Sequence, residues 1–323
     1  MKTTTMLVLS DPREPQLSML AALSDHANVV IGNSADAFAE VALDAAIILN
    51  WSGSLGLLRD VFRMSPRLRW MHSRAAGLEQ TLFPELVTSN VILTNGSGVF
   101  SPSLGEFVLG AILYFAKGLR RMIRNQMAGL WDPFDVVSIS GETVGIIGYG
   151  DIGHAVAARV KAVGMKVLAV KRHPFQTGEA DPLVEQIYGS NERIEMLRRC
   201  DYVVVAAPLN DETRGLIGEA EFAAMKPTSY FINVARGGVV DEAALIEALR
   251  NKQIAGAALD VFETEPLPPD NPLWGFKNVI ITTHQGGFCD TYPDLAMPIL
   301  EHNMRCFLSG NMKGMMNVAR AAG

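Results

Sequence analysis

Short apolar, β-branched runs alternate with helix-patterned stretches along almost the whole chain. In the first third, Met6–Leu9, Val29–Ile31, Ala46–Leu49, Leu68–Met71 and Val91–Leu93 predict strands. Between them, Gln16–Ser24 and Ser54–Met64 carry apolar residues at three- and four-residue spacing and predict helices. Ser101 as a cap and Pro102 in a first turn open one long helix running to about Met127. A stronger series of strands begins at Thr143: Thr143–Gly148, Lys166–Lys171, Tyr202–Ala206, Tyr230–Val234, Ala255–Leu259 and Val279–Thr282. These are apolar on both alternating faces, as in central parallel strands covered by helices on each side. Leu295–Leu308 predicts a last helix, and Pro174–Gly189 a surface connection. The order implies an α/β protein with parallel sheets.

One turn in this pattern carries chemistry. The strand at Thr143 runs into Gly148-x-Gly150-x-x-Gly153 and then into a helix, with a second strand ending at Lys171. Gly148 permits a tight turn, Gly150 lets a pyrophosphate approach the backbone, and Gly153 allows close helix–strand packing. The first N–H groups of the helix then face the phosphate charge. A bare GxGxxG is common; one that follows a strand and opens a helix predicts a dinucleotide site.

Three more strand ends carry polar residues suited to a reaction. Arg236 follows Phe231–Ala235 and precedes two glycines. Asp260 and Glu265 follow Ala258-Leu259. His284 follows Val279–Thr283 and precedes Gln285-Gly286-Gly287. Ligands of open α/β sheets bind beyond the carboxyl ends of the strands, so these residues are placed to converge. Arginine offers a planar fork for a carboxylate. Histidine exchanges a proton near neutral pH, and a neighbouring glutamate stabilises its imidazolium form. Single histidines are usually structural, and His26, His72, His154, His173 and His302 take that reading.

Composition narrows the class. The 323 residues are enough for two domains, with 49% hydrophobic and 19% charged residues. The 28 Lys+Arg against 34 Asp+Glu leave a net charge of −6, which argues against a general nucleic-acid binder. No apolar run reaches bilayer length, and Met6–Leu9 is too short for a signal-peptide core, so no membrane partner is expected. Cys200, Cys289 and Cys306 show no CxxC spacing. Reduced thiols, no zinc site and a cytoplasmic location are the expectation.

The chain resembles the D-isomer-specific 2-hydroxyacid dehydrogenases over essentially its full length. The resemblance rests on Pro66–Leu78, Leu93–Ser101, Gly148–Gly153, Ala206–Ile217, Asn233–Gly238, Leu259–Pro266 and Thr283–Gly287. It implies two Rossmann-like, doubly wound parallel-sheet domains: residues 1–100 plus 288–323 for substrate, and an inserted dinucleotide-binding domain of residues 101–287. It also implies roles. Arg236 would bind the substrate's carboxylate and keto groups, Glu265 would pair with the histidine, and His284 would be the acid/base. The backbone of Ala75, Ala76 and Gly77 would hold the carboxylate. Asp151, Ile152, Pro208, Thr213, Val234, Ala235, Asp260 and Gly287 would line the cofactor site beside the three glycines. A homodimer is implied as well.

Two positions depart from the family pattern. Thr283 stands where proline commonly precedes the histidine, and Lys171-Arg172 stand where NAD-binding relatives usually carry an acid. The two cations suit a 2′-phosphate, so NADP(H) is expected in preference to NAD(H), with Arg172 the main contact. Arg74 and Trp51 either shape the pocket or are a solvent-facing cation and a core aromatic. The expected activity is a cytoplasmic reduction of a small 2-oxo acid such as glyoxylate or hydroxypyruvate. The alternatives are a dinucleotide-sensing, corepressor-like protein of the same fold and, third, a formate dehydrogenase.

Overall fold

The computed structural model describes residues 4–78, 81–172 and 181–320. The chain forms two compact units, Met1–Phe100 with Cys289–Gly323, and Ser101–Phe288. The first unit opens with β1 (Thr4–Leu9), β2 (Ala27–Gly32), β3 (Ala45–Asn50), β4 (Trp70–Ser73) and β5 (Ile92–Asn95). The second carries β6 (Thr143–Ile147), β7 (Lys166–Val170), β8 (Gln186–Tyr188), β9 (Tyr202–Val205), β10 (Tyr230–Asn233), β11 (Gly256–Leu259) and β12 (Val279–Ile281). The helix Tyr292–Ser309 and β13 (Val318–Arg320) complete the first unit.

The first sheet has the order β13-β5-β4-β3-β1-β2, parallel except for the antiparallel edge strand β13. The second has the order β12-β11-β10-β9-β6-β7-β8 and is parallel throughout. The architecture is α/β, with a Rossmann-like strand order in each unit. Strand order reverses between β1 and β3 in one sheet and between β6 and β9 in the other, the points where such sheets bind ligands.

Burial on both faces explains the parallel sheets. Along β1, Met6 and Val8 join one apolar cluster with Leu300, Met304 and Phe307 of the last helix. Leu7 and Leu9 join another on the opposite face, with Leu58 and Val61 of the helix Leu55–Met64. All four β1 residues are fully buried. At about 25 cal/mol per Å² of apolar area, such strands are stable only with both faces covered.

Several local expectations are corrected. Gln16–Ser24 forms a 3₁₀ helix over Pro15–Leu23, not an α-helix. Its buried residues Leu17, Leu20 and Leu23 recur every third position, which matches three residues per turn. The single helix expected from Ser101 to Met127 is two, Ser101–Ala116 and Leu119–Met127, and Ser101 lies within the first turn instead of capping it. Gly118 between them adopts φ +62°, a left-handed conformation that ends a helix. The stretch 174–189, expected as a connection, contributes the edge strand β8; its residues 174–180 lie outside the described residues. Among the described residues no helix is long and apolar enough to cross a membrane.

His72 on β4 is 3% exposed and takes the structural role expected of it. Thr94 Oγ1 on β5 accepts from Trp70 Nε1 at 2.8 Å and lies 2.8 Å from His72 Nδ1. The threonine proton is thus available to a neutral imidazole. Burial pushes His72 from the ordinary value of 6.5 down to about 3. Between those values the unfolded chain binds a proton that the folded one does not, so stability falls as pH drops below 6.5. The slope from this one group approaches about 1.4 kcal/mol per pH unit. His72→Asn, which keeps a polar atom near Nδ1 but does not titrate, should be less stable at pH 7. It should also lose less stability between pH 7 and pH 4 than the unmodified protein in denaturant titrations. Equal losses would show that His72 does not titrate in this window.

Candidate active site

Because the second sheet is wholly parallel, every loop that follows a strand emerges at one edge. The loop after β6 is the glycine turn. Gly148 adopts φ +97°, and a Cβ there would lie 2.4 Å from the Ala207 nitrogen, so only glycine lets the β6 and β9 loops touch. A Cβ on Gly153 would lie 2.4 Å from the Gly148 carbonyl oxygen, which sets how closely the helix Asp151–Ala162 approaches the strand. Gly150 differs: nothing lies within 4 Å of its Cβ position, and it precedes the first turn of that helix. Open backbone at a helix N-terminus fits the pyrophosphate of a dinucleotide.

The loops after β10, β11 and β12 hold Arg236, Glu265 and His284. Asn233 orders the first: its Oδ1 accepts from Ala235 N at 3.1 Å and its Nδ2 donates to Arg236 O at 3.3 Å. Half-buried Arg236 donates from Nη1 to Ala235 O at 2.7 Å. A Cβ on Gly237 would lie 1.9 Å from the carbonyl of Phe262, so glycine here lets the Arg236 loop lie directly on the Phe262–Glu263 peptide of the Glu265 loop. Glu265 Oε1 accepts from Phe262 N at 3.0 Å, and its Oε2 lies 2.8 Å from His284 Nδ1. Both side chains remain exposed, at 36% and 46%. With Nδ1 engaged by the carboxylate, Nε2 is the ring nitrogen left for proton exchange.

His284 has φ +56°, unusual for a residue with a side chain. Its N–H donates to Asp260 O at 2.9 Å. Asp260, 1% exposed, accepts through Oδ1 from Thr282 Oγ1 at 2.6 Å and from the N–H groups of Gln285 and Gly286 at 2.9 and 3.1 Å. The loop therefore holds its shape with Thr283 in place of proline. Asp260, expected to line the cofactor, directs its carboxylate into this loop.

The remaining expected positions lie along the same edge. Val234 and Ala235 are buried at the end of β10. Thr213 Oγ1 donates to Pro208 O at 2.6 Å and closes the loop after β9. Asp151 is exposed, and Ile152 and Gly287 are half-buried. Lys171 and Arg172 follow β7, and Arg172 forms an ion pair with Glu212, a partner that nothing in the local sequence marks. His173 lies outside the described residues. Asn233 also went unassigned, although its place before Val234-Ala235-Arg236 is the position from which a short side chain reaches loop backbone.

In the first unit, Ala75, Ala76 and Gly77 follow β4. Ala75 O accepts from Gly96 N at 3.2 Å and Ala76 O from Asn95 Nδ2 at 2.6 Å. Among the described residues, the N–H groups of Ala75, Ala76 and Gly77 have no acceptor. Arg74 is not a solvent-facing cation, being 16% exposed, and Trp51 is buried.

Residues 109–286 match the model of the D-isomer specific 2-hydroxyacid dehydrogenase, NAD binding domain. The chain is 31% identical over 310 residues to D-3-phosphoglycerate dehydrogenase of Methanocaldococcus jannaschii, covering 95% of this chain but 58% of that relative. It is 34% identical over 262 residues to glyoxylate reductase of Thermococcus gammatolerans, covering 78% of this chain and 77% of the relative. The crystal structure of a D-isomer specific 2-hydroxyacid dehydrogenase from Xanthobacter autotrophicus Py2 in complex with NADPH and MES superposes with a TM-score of 0.83. It shares 31% identity over 98% of both chains. With more than half of the sequence matched by the model and the fold shared almost end to end, the chain belongs to the D-isomer-specific 2-hydroxyacid dehydrogenase family.

Proposed function

We propose that the protein reduces small 2-oxo acids, glyoxylate or hydroxypyruvate among them, to D-2-hydroxy acids, with NADPH preferred to NADH. The observation that carries this reading is the 2.8 Å contact between Glu265 and His284 beside the Arg236 loop, on the edge that presents the dinucleotide turn. The glyoxylate reductase and NADPH-bound relatives support it.

Gly148, Gly150 and Gly153 would hold the pyrophosphate; the bound nicotinamide supplies a hydride to the 2-oxo carbon. Arg236 fixes the acid through its fork and polarises the carbonyl. His284, held at Nδ1 by Glu265, delivers a proton from Nε2 to the carbonyl oxygen, so the C=O bond becomes H–C–OH. Glu265, in contact with Nδ1, holds the ring in this orientation. The amides of Ala75–Gly77, which have no acceptor among the described residues, are assigned to the substrate carboxylate. The three unpaired cysteines agree with a cytoplasmic setting.

A panel of 2-oxo acids with each reduced nicotinamide tests the reaction; cofactor binding without turnover would contradict it. His284→Asn and Arg236→Ala should each lower kcat/KM by about 10²–10⁴-fold while NADPH binding persists. Glu265→Gln should cost less, because the imidazole remains. Near-normal rates in either folded variant would remove that residue from the mechanism.

For the cofactor, Lys171 and Arg172 receive the 2′-phosphate, and Arg172 exchanges Glu212 for it. Charge-assisted hydrogen bonds contribute about 1.5–3 kcal/mol, enough for a preference of roughly tenfold or more after that exchange. Arg172→Ala should bring kcat/KM for NADPH and NADH close together. Equal values in the unmodified protein would refute the preference.

The homodimer is assigned to the surface of the helix Leu119–Met127 and the residues after it. There Met127, Leu130 and Trp131 are 86%, 60% and 98% exposed, a contiguous apolar stretch unusual for a monomer's surface. Light scattering should give the mass of two chains, and Trp131→Ser should shift the protein toward one. A monomer at micromolar concentration would rule the dimer out.

A further inference from the structure

A closed network of polar and aromatic side chains sits at the carboxyl ends of β1, β3 and β4, beside the point where the strand order of the first sheet reverses. Glu14 is its centre. Glu14 Oε1 accepts from Trp51 Nε1 at 2.9 Å and from Arg74 Nη1 at 3.2 Å, and Oε2 accepts from Ser10 at 2.9 Å and Ser52 at 3.3 Å. Arg74 Nη2 donates to Gln16 Oε1 at 3.1 Å. The guanidinium carbon lies 4.7 Å from the centroid of the Trp51 ring and 4.8 Å from that of Tyr292, the two rings being edge to face at 5.4 Å. Burial works against the Glu14 charge, but hydrogen bonds from Trp51 and Ser10 and the charge of Arg74 hold its carboxyl below the usual range.

The backbone that follows Arg74 is equally constrained. Arg74 N donates to Asn50 O at 3.0 Å. A Cβ on Gly96 would lie 2.2 Å from Arg74 O, so the two segments touch through backbone alone. The carbonyls of Ala75 and Ala76 are taken by Gly96 and Asn95, leaving the three consecutive amides of Ala75, Ala76 and Gly77 without acceptors among the described residues. The residue at the root of this amide array is thus gripped by three separate parts of the first unit.

We propose that Arg74 is a positioning residue. Held by Glu14, Trp51 and Tyr292, it orients the Ala75–Gly77 amides toward the substrate carboxylate and does not itself bind the acid. This rests on the reading of those amides as the carboxylate site. The role of Glu14 separates positioning from direct contact. If Arg74 bound the substrate, removing its counter-charge would free the cation and strengthen binding. If Arg74 positions the amides, the same change loosens it and weakens binding.

The test uses NADPH-saturated protein and glyoxylate. Arg74→Met should raise KM by about tenfold with kcat within about twofold, since small displacements of binding groups are costly. NADPH affinity should be unchanged. Glu14→Gln should raise KM in the same direction, and the double variant should be no worse than the worse single one. Arg74→Lys should recover part of the loss, because it keeps the charge but not the planar stack. Calorimetric titration of oxalate into the NADP-loaded variants reads the same effect without turnover. A protein that turns over no 2-oxo acid yet binds oxalate, and binds it more weakly in both variants, would end the proposed reaction and leave the role of Arg74 standing. Unchanged KM and oxalate affinity in Arg74→Met, tighter binding in Glu14→Gln, or no oxalate binding by the unmodified protein would each overturn it. If Arg74→Met fails to fold, Arg74→Lys and Glu14→Gln still decide the sign.

Discussion

Asp260 is 1% exposed, and a carboxylate so removed from water persists only where protein donors replace the solvent. Among the described residues, its donors come from the loop that follows β12: the Thr282 hydroxyl and the N–H groups of Gln285 and Gly286. His284 lies between them in a left-handed conformation. Such strain costs on the order of 1–3 kcal/mol. Losing one donor to a buried polar group costs about as much, roughly 1–3 kcal/mol, and more for a charged one. Three donors are at stake, so the loop keeps its shape and His284 keeps its strain. The Glu265–His284 contact depends on that balance.

A wholly parallel sheet does the rest of the gathering. Gly148, Arg236, Glu265 and His284 are spread along the sequence, yet each follows a strand, and parallel strands release their following loops at one edge. This is why strand ends in the sequence already indicate which residues share that edge. The strands were marked by apolar positions on both faces, and Met6 and Val8 facing one cluster while Leu7 and Leu9 face another is the physical content of that pattern. The glycines were legible because each meets a steric demand that a side chain would not: close contact at Gly148 and Gly153, open space at Gly150.

What escaped the sequence depends on partners far along the chain. Gly118 breaks a helix whose apolar pattern continues across it. β8 and β13 are three-residue edge strands, too short for periodicity to register, and they exist because a neighbouring strand offers its open side. Glu212 and Glu14 carry no local mark in the sequence, because their partners Arg172 and Arg74 are 40 and 60 residues away. The missing proline at position 283 is a further case. Thr283 departs from the family pattern, yet Asp260 fixes the loop through hydrogen bonds from Thr282, Gln285 and Gly286 that no local pattern announces.

The treatment of cations follows from the same physics. A chain with net charge −6 that is to bind anions needs local positive potential without scattering free cations over its surface. Backbone can provide it at Gly150, which has nothing within 4 Å of its Cβ position, and at the amides of Ala75–Gly77, which have no acceptor among the described residues; no flexible side chain has to be ordered at either place. Arg236 is tethered to its own loop carbonyl, and Arg172 and Arg74 are each paired with a glutamate. The two pairs differ in what holds them. Arg172–Glu212 is open to water, with both side chains more than half exposed, so an incoming phosphate can exchange with the glutamate at little cost. Arg74–Glu14 is largely enclosed and its cation is stacked on two rings, so exchange would strand a charge in a poorly solvated place. An exposed pair is suited to trading its acid for a ligand, whereas an enclosed pair is suited to holding backbone in place.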